Sequence, residues 1–214
     1  MSKAFVIALL GAESTGKTVL AAALANALAD ALATPARRVV VVAEYLREFC
    51  DQHGRTPRAQ EQAQIATEQT RRIEAASQDH DIVVADTTAV MIAVYSEHVF
   101  GDTGLYAEAL AAHARCDLTL LTALDLPWQA DGLQRDGPHV REPVDAAVRH
   151  AISGAGLGYS VVCGSGAARL EMALACTLRA LAPPPSAGSA PRWQWHCERC
   201  GDSTCERHTL FPRF

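Results

Sequence analysis

The stretch AFVIALLGAESTGKT, residues 4–18, decides the fold. Its second part, residues 11–18, has the spacing G-x-x-x-x-G-K-T of a phosphate-binding P-loop, a motif that is specific only between a strand and a helix. Residues 4–10 are all apolar, as expected of a parallel strand buried on both faces. Residues 17–32 are rich in Ala and Leu without Gly or Pro, which favours a helix. The motif therefore stands in the context that it requires.

The residue types of this loop suit a nucleoside triphosphate. Glycines at its two ends allow turns that a side chain would block, and the freed N–H groups and the helix N-terminus point at an anion. Lys17 can reach the β- and γ-phosphates, and the Thr18 hydroxyl can bind Mg²⁺. The sequence predicts ATP and Mg²⁺ as ligands, with the ATP-binding residues Gly11, Glu13, Ser14, Thr15, Gly16, Lys17, Thr18 and Val19.

Length and composition predict one full domain with a small appendage, since the chain has 214 residues, of which 49% are hydrophobic. A net charge of −5 gives no basic field for nucleic acid. No apolar run approaches the roughly 20 residues of a membrane span, and the N-terminus enters the first strand without the pattern of a cleavable signal. We therefore expect a cytoplasmic protein without membrane or nucleic-acid partners, whose seven cysteines are thiols or metal ligands.

Apolar, β-branched segments alternate with helical segments beyond the P-loop. The predicted further strands are residues 39–43, 81–86, 117–123 and 159–163. The predicted further helices are residues 56–77, 87–100, 105–114, 143–153 and 171–182. This alternation predicts the α/β class, with a doubly wound, five-stranded parallel sheet in a three-layer, P-loop kinase-like domain over residues 1–181. Ligands of such sheets bind at the carboxyl ends of the strands.

Two carboxylates end strands on that edge. Asp86 ends the third strand, where P-loop proteins place an acid that holds Mg²⁺; the alternative is an N-cap for the next helix. Glu44 ends the second strand and could accept a proton from a hydroxyl that attacks the γ-phosphate; the alternative is a surface ion pair with Arg47. Together with Lys17, both acids are candidate catalytic residues.

The loop over residues 127–138 is polar and charged. Arg135 and Arg141 could neutralise charge that develops on the transferred phosphoryl group, or they are simply solvated. Trp128 and Tyr45 could each stack on a flat ring or fill the core. A glutamine-rich helix before the third strand is expected to present a solvated face through Gln60, Gln62, Gln64 and Gln69.

The composition changes after residue 181. Residues 182–191 (APPPSAGSAP) predict a linker, and residues 192–214 a small Cys-rich tail. The tail contains the pattern C-x2-C-x4-C-x2-H, which predicts a structural zinc site, the alternative being a disordered tail with free thiols. The predicted Zn²⁺ ligands are Cys197, Cys200, Cys205 and His208.

Four segments, in this order, resemble one family: residues 11–18 (GAESTGKT), residues 44–48 (EYLRE), Asp86 followed by Thr87, and residues 127–133 (PWQADGL). Over residues 3–181 the chain resembles the ribosylnicotinamide kinase domain of the NadR/Ttd14 group of P-loop, AAA-like ATPases. The resemblance implies ATP-dependent phosphorylation of the 5′-hydroxyl of nicotinamide riboside, a reaction of NAD metabolism. It also implies that the substrate is bound by Tyr45, Trp128 and Asp131.

Three functions remain open from the sequence. The first is a small-molecule kinase that phosphorylates a nucleoside, with nicotinamide riboside as the best single acceptor. The second is a kinase of another nucleoside. The third is a regulatory P-loop ATPase whose zinc-bound tail engages a protein partner. A homo-oligomer is compatible with all three.

Overall fold

The structure is a computed structural model, and it describes residues 3–33, 37–129 and 137–182. The chain divides into two units, Met1–Leu181 and Ala182–Phe214, and the helices and strands named here belong to the first. None of the described helices is long and apolar enough to cross a membrane. In chain order, the elements are β1 Phe5–Leu10, α1 Lys17–Ala31, β2 Val39–Val42, α2 Tyr45–His53, α3 Gln62–Asp79, β3 Ile82–Asp86, α4 Ala89–Phe100, α5 Tyr106–His113, β4 Leu118–Thr122, α6 Arg141–Gly154, β5 Ser160–Val162 and α7 Gly166–Leu181.

The five strands form one parallel sheet in the order β2-β3-β1-β4-β5. β1 lies at the centre, between β3 and β4, and β2 and β5 are the edge strands. The chain therefore winds outward in both directions from the strand that leads into the P-loop. This arrangement confirms the predicted doubly wound α/β sheet with a P-loop kinase-like fold.

Both faces of the sheet are covered, because alternate side chains of one strand enter different apolar clusters. Ile7 and Leu9 of β1 pack with α1 and α7 on one face. Leu10 packs on the other face with α4 and α6, and Val6 joins a smaller cluster with Val83 of β3. Helix α4 is buried almost all round, with residues 89–94 all buried. The sheet is therefore the middle layer of three.

Four helices differ clearly from the sequence-based expectation. Helix α3 begins at Gln62 rather than at residue 56, after a 3₁₀ turn over Ala59–Glu61. Helix α2 was not predicted, because it spans only nine residues directly after β2, although Tyr45, Leu46, Phe49 and Cys50 recur at the spacing of one helix face. Helix α6 begins at Arg141 rather than at residue 143, after a 3₁₀ turn over Pro138–Val140. Helix α7 begins at Gly166 rather than at residue 171, and Arg169 bonds its first turn to the Gly164 carbonyl that precedes the helix.

The predicted solvated glutamine face is only partly confirmed: Gln60 and Gln64 are exposed, whereas Gln62 and Gln69 of α3 are buried. Gln62 and Gln69 are 5% and 0% exposed, and they share one buried stripe with Ile65 and Ala66. The spacing of these positions, i, i+3, i+4 and i+7, is that of the inward face of a helix. The expectation was wrong for both because their positions face the core. Gln69 is satisfied by backbone partners, whereas Oε1 of Gln62 has no hydrogen-bond partner among the described residues.

Candidate nucleotide-binding site

The P-loop connects β1 to α1 through two glycines that no other residue can replace without strain. Gly11 has φ +144°, and a Cβ there would lie 2.1 Å from Thr122 Oγ1 on β4. Gly16 has φ +76° and ψ 21°, a left-handed conformation, at the N-cap of α1. The backbone can therefore pass close under β4 and turn directly into the helix N-terminus, where unbonded N–H groups are available to an anion.

Buried hydroxyl groups hold the middle of the loop. The Thr15 hydroxyl donates to the Ala12 carbonyl at 2.8 Å, and Thr122 Oγ1 lies 2.7 Å from Thr15 Oγ1. Ser14 has φ +56°, and its Oγ accepts the N–H of Gln129 at 2.7 Å. These contacts tie the P-loop to β4 and to the segment that follows β4. Hydrogen bonds within the protein therefore hold the loop in this conformation.

Lys17 lies at the start of α1, and its Nζ donates to the carbonyl of Ala12 at 2.9 Å across the loop. It lines a cavity of about 300 Å³. The other residues that line this cavity are Glu13, Ser14, Thr15, Gly16, Thr18, Val19, Glu44, Leu46, Arg47 and Tyr95. The predicted ATP-binding residues other than Gly11 thus surround one space, with an ammonium group and a helix N-terminus at its base.

The two predicted acids come to the same edge of the sheet. The last paired residues of β2 and β3 are Val42 and Ala85, so Glu44 and Asp86 each lie just beyond the ladder. Both acids line a second cavity, of about 450 Å³, together with Thr18, Ala43, Arg47, Glu48, Asp51 and Gln52. Because Thr18, Glu44 and Arg47 also line the first cavity, the two spaces are adjacent.

Asp86 has the environment of a cation ligand. Its side chain is 1% exposed, and Oδ1 has no hydrogen-bond partner among the described residues. An unsatisfied buried carboxylate oxygen is costly, and a cation beside it removes that cost. Thr88, not Asp86, caps helix α4 by accepting the N–H of Val90. The residues present thus fit Mg²⁺, which commonly takes one or two protein groups plus phosphate oxygens.

Glu44 also forms the ion pair with Arg47 that was predicted as its alternative role. Its Oε2 lies 3.9 Å from Nε of Arg47, one turn into α2, and the two side chains are 14% and 39% exposed. The pair does not remove Glu44 from the site, since both residues line both cavities. Arg47 is therefore a site cation that sequence reasoning treated only as an ion-pair partner. Arg47 was missed because helix α2, which directs it towards the P-loop, was not predicted.

The two predicted stacking rings occupy different surroundings. The Arg72 guanidinium lies 4.3 Å from the centre of the Tyr45 ring, and a hydrogen bond from Arg72 lowers the pKa of Glu48. Trp128 is half-buried, and its Nε1 is buried without a hydrogen-bond partner among the described residues. Within the described chain the two rings do not stack on each other, and neither lines the two cavities above.

Of the two predicted cations only Arg141 is described, and the predicted tail lies outside the described residues. Arg141 is 8% exposed at the start of α6, and its Nε and Nη2 have no hydrogen-bond partner among the described residues. Arg135 and Asp131 lie outside the described residues. So do the predicted zinc ligands Cys197, Cys200, Cys205 and His208, which leaves zinc a prediction. Where side chains are described, no group of three or more His, Cys, Asp or Glu could hold a metal ion.

A third cavity, of about 740 Å³, lies beside the P-loop between α1 and α7. It shares Ser14, Gly16 and Val19 with the first cavity. Its remaining lining is mostly apolar, and consists of Leu20, Ala23, Leu126, Pro127, Gln129, Gly166, Ala167, Arg169 and Leu170. An apolar cleft that continues from a phosphate-binding loop is suited to a flat base.

Arg169 is a buried site residue that sequence reasoning did not find. It is 3% exposed on α7, and its guanidinium donates to the Thr15 carbonyl of the P-loop, to the Gly164 carbonyl at 2.8 Å, and to the Asp125 carboxylate. Asp125 in turn accepts the Gly164 N–H at 2.5 Å. One side chain thus joins the P-loop to the segments after β4 and β5. No local motif marks Arg169, because its partners are distant in sequence.

We expect Arg169→Met to loosen this junction. The change removes the donors of a buried network and leaves the Thr15 carbonyl without a partner, so the free energy of unfolding should fall by about 1–3 kcal/mol. Urea denaturation measures this loss. Arg179→Met, at an exposed position of the same helix, is the matched control and should change the free energy by less than about 0.5 kcal/mol. Equal losses in both variants would show that the network contributes nothing specific.

The parallel sheet with its central strand, the left-handed glycine turn and the helix N-terminus together define a P-loop protein with the α/β fold of P-loop kinases. A model of the AAA domain family matches residues 6–169, and the chain belongs to that family. No curated protein matches the chain in sequence.

Solved structures share this fold at low sequence identity. NadR in complex with NR matches with a TM-score of 0.66, 20% identity and 82% of this chain covered. NadR in complex with NAD and AMP-PNP matches with a TM-score of 0.62 and 19% identity over 82% of this chain. Thymidylate kinase from Ehrlichia chaffeensis matches with a TM-score of 0.59 and 13% identity, over 85% of this chain and 100% of its own. The chain spans about half the length of the NadR chains, 49–50%.

Proposed function

We propose that this protein is an ATP-dependent kinase that transfers the γ-phosphate to a hydroxyl group of a nucleoside, with the 5′-hydroxyl of nicotinamide riboside as the first acceptor to test. The observation that carries the proposal is the shared cavity lining. Thr18 of the P-loop, Glu44 after β2 and Asp86 at the end of β3 surround one space next to Lys17. A phosphate-binding loop and two strand-end carboxylates are the parts that such a transfer needs.

On the nucleotide side, the P-loop N–H groups and Lys17 bind the phosphates, and the apolar cleft between α1 and α7 receives the adenine ring. Thr18 and Asp86 would hold Mg²⁺, which neutralises charge on the phosphate oxygens when it is bound. Arg169 holds Thr15 of the P-loop and Asp125 of the segment after β4 in place through its hydrogen bonds. These groups orient ATP so that its γ-phosphate faces the second cavity.

On the acceptor side, Glu44 accepts the proton of the attacking hydroxyl. The hydroxyl oxygen forms a bond to the γ-phosphorus while the bond from that phosphorus to the bridging oxygen breaks, and ADP leaves with the bond electrons. Arg47 lies beside Glu44 and supplies positive charge where negative charge develops. Arg141, buried with unsatisfied donors, is a second candidate for this task.

Two kinds of observation support a nucleoside as acceptor. NadR and thymidylate kinase share the fold, and NadR binds NR in one of the solved complexes. The segments EYLRE and PWQADGL, which carry the resemblance to the ribosylnicotinamide kinase domain, both touch the site: Glu44 and Arg47 line its cavities, and Gln129 bonds the P-loop.

An acceptor panel tests this proposal. The purified chain is incubated with Mg²⁺ and ATP and with nicotinamide riboside, adenosine, cytidine, uridine or thymidine, and ADP and nucleoside monophosphate are quantified by chromatography and mass spectrometry. We expect ADP to form in step with nicotinamide mononucleotide. Preference for another nucleoside would identify a different acceptor for the same phosphoryl transfer. ATP turnover that no nucleoside stimulates would contradict the kinase proposal and favour the regulatory ATPase.

A further inference from the structure

Gln69 is a buried amide with three backbone partners. It lies on α3, is 0% exposed, and belongs to a helix that the sequence assigned to solvent. Its Oε1 accepts the N–H of Tyr45 at 2.7 Å. Its Nε2 donates to the carbonyls of Ala43 at 3.3 Å and Thr87 at 3.2 Å. All three hydrogen-bonding sites that it uses are satisfied by main-chain groups at the carboxyl edge of the sheet.

These partners flank the two carboxylates of the site. Ala43 and Tyr45 stand directly before and after Glu44, so Gln69 bonds both neighbours of that residue. Thr87 directly follows Asp86. One rigid amide group, therefore, joins the backbone on both sides of Glu44 to the backbone next to Asp86.

Among the described residues, no backbone–backbone hydrogen bond joins these two points. The ladder of β2 and β3 ends at Val42 and Ala85, and in the described sheet β2 is an edge strand that pairs only with β3. Beyond this pair, the segment after β2 enters α2 and the segment after β3 leads to α4. Gln69 supplies a donor and an acceptor where ladder hydrogen bonds have stopped.

Thr87 shows that this junction is held in a particular conformation. It has φ +84°, which a β-branched residue rarely adopts, and it is 0% exposed. Its N–H donates to the Leu9 carbonyl at 3.1 Å, and its carbonyl accepts from Gln69. Backbone strain of this kind persists where the surroundings fix the residue from both sides.

We propose that Gln69 is a positioning residue that fixes the separation of Glu44 and Asp86 for the reaction. The inference rests on the proposed function, in which one acid is the base and the other binds Mg²⁺. Gln69 itself lines none of the three cavities around the P-loop and touches no reacting atom. Its effect is on geometry, and small misplacement of catalytic groups has large effects on rate.

Gln69→Met and Gln62→Met form the matched test, because both remove a buried amide from the inward face of α3 while only Gln69 bonds the strand ends. We expect Gln69→Met to lower kcat about 10- to 100-fold and to raise the Mg²⁺ concentration for half-maximal activity, as loss of outer-shell support does. The KM for ATP should change less than about twofold, because the P-loop is held by other contacts. Gln62→Met should match wild type in kcat, in the Mg²⁺ requirement and in the KM for ATP. A purely structural role would lower the melting temperature without this split between kcat and KM.

Gln69→Glu separates the acceptor from the donor role. It keeps the shape and the acceptor for Tyr45 but has at most one proton for the two carbonyls, so kcat should fall here as well. Full activity of either folded Gln69 variant would overturn the inference, as would loss of fold in both, since the amide would then be needed for stability alone.

The same variants separate this inference from the proposed function. Binding of AMP-PNP as a function of Mg²⁺ needs no acceptor, and the shift of the Mg²⁺ requirement in Gln69→Met should appear there too. If wild type phosphorylates no nucleoside but the shift is present, the function is wrong and the positioning role stands. If wild type is an active kinase and Gln69→Met behaves as Gln62→Met, the positioning role is wrong.

Discussion

Lys17→Ala is expected to lower kcat for phosphoryl transfer by at least about 10²- to 10³-fold, the loss typical of removing one preorganised electrostatic group from an active site. Lys17 stands at the base of the P-loop cavity, where its ammonium can follow charge as it moves from the γ-phosphate to the bridging oxygen. Its hydrogen bond to the Ala12 carbonyl is only partly buried, so the fold should survive. The kcat of the purified variant, with its melting temperature, measures both effects.

The chain provides a matched control for this change, because its only other lysine is Lys3. Lys3 is 69% exposed and pairs with Asp117 at 3.0 Å, at the opposite end of β1 from the P-loop. Lys3→Ala should retain wild-type kcat. A folded Lys17→Ala variant that turns over ATP as fast as Lys3→Ala would mean that the P-loop lysine takes no part in the reaction.

Glu44→Gln is expected to lower kcat by about 10²- to 10⁴-fold, the range for loss of a general base. The amide keeps the shape of the side chain but cannot take the proton of the attacking hydroxyl, so affinity for AMP-PNP should be nearly unchanged. Asp86→Asn should behave differently and raise the Mg²⁺ requirement, because Asp86 is the buried carboxylate beside Thr18. Steady-state kinetics at several Mg²⁺ concentrations, with nucleotide binding measured separately, distinguishes the two phenotypes.

Glu74→Gln is the control for the loss of a carboxylate. Glu74 is 52% exposed on α3 and pairs with Arg115 away from the P-loop, so its loss should leave the kinetics unchanged. If Glu44→Gln retains full kcat, the pair with Arg47 is its main role. If Glu44→Gln and Asp86→Asn both unfold, the two acids are structural.

The features that sequence reasoning predicted are those encoded by neighbouring residues. The P-loop needs Gly11, Gly16 and Lys17 at fixed spacing, and the apolar strands need only short runs of β-branched residues. Because the carboxyl ends of parallel strands meet at one edge, the sequence alone predicts that Glu44 and Asp86 lie near the loop. The five parallel strands, their doubly wound class and the convergence of these acids follow from local pattern and topology; the strand order comes from the structure.

The features that it missed depend on contacts between distant residues. Arg169 bonds Thr15 across more than 150 positions, and nothing near it in the sequence marks a buried arginine. Gln69 bonds strand ends that lie 18 and 26 positions away, and as one glutamine among several it looked solvated. Helix α2 was missed because nine residues are too few for a stable helix in isolation, so its apolar spacing gave a weak signal until it packed against the core. Its absence from the predicted fold also hid Arg47.

The most direct test of the central claim follows the γ-phosphate itself. The wild-type chain is incubated with Mg²⁺ and γ-labelled ATP, with and without nicotinamide riboside or the best acceptor of the panel, and the label is separated into nucleoside monophosphate and inorganic phosphate. The account predicts that the label enters the nucleoside monophosphate, and that this transfer is lost in Lys17→Ala but kept in Lys3→Ala. Label that appears only as inorganic phosphate, at the same rate with and without every nucleoside, would contradict it.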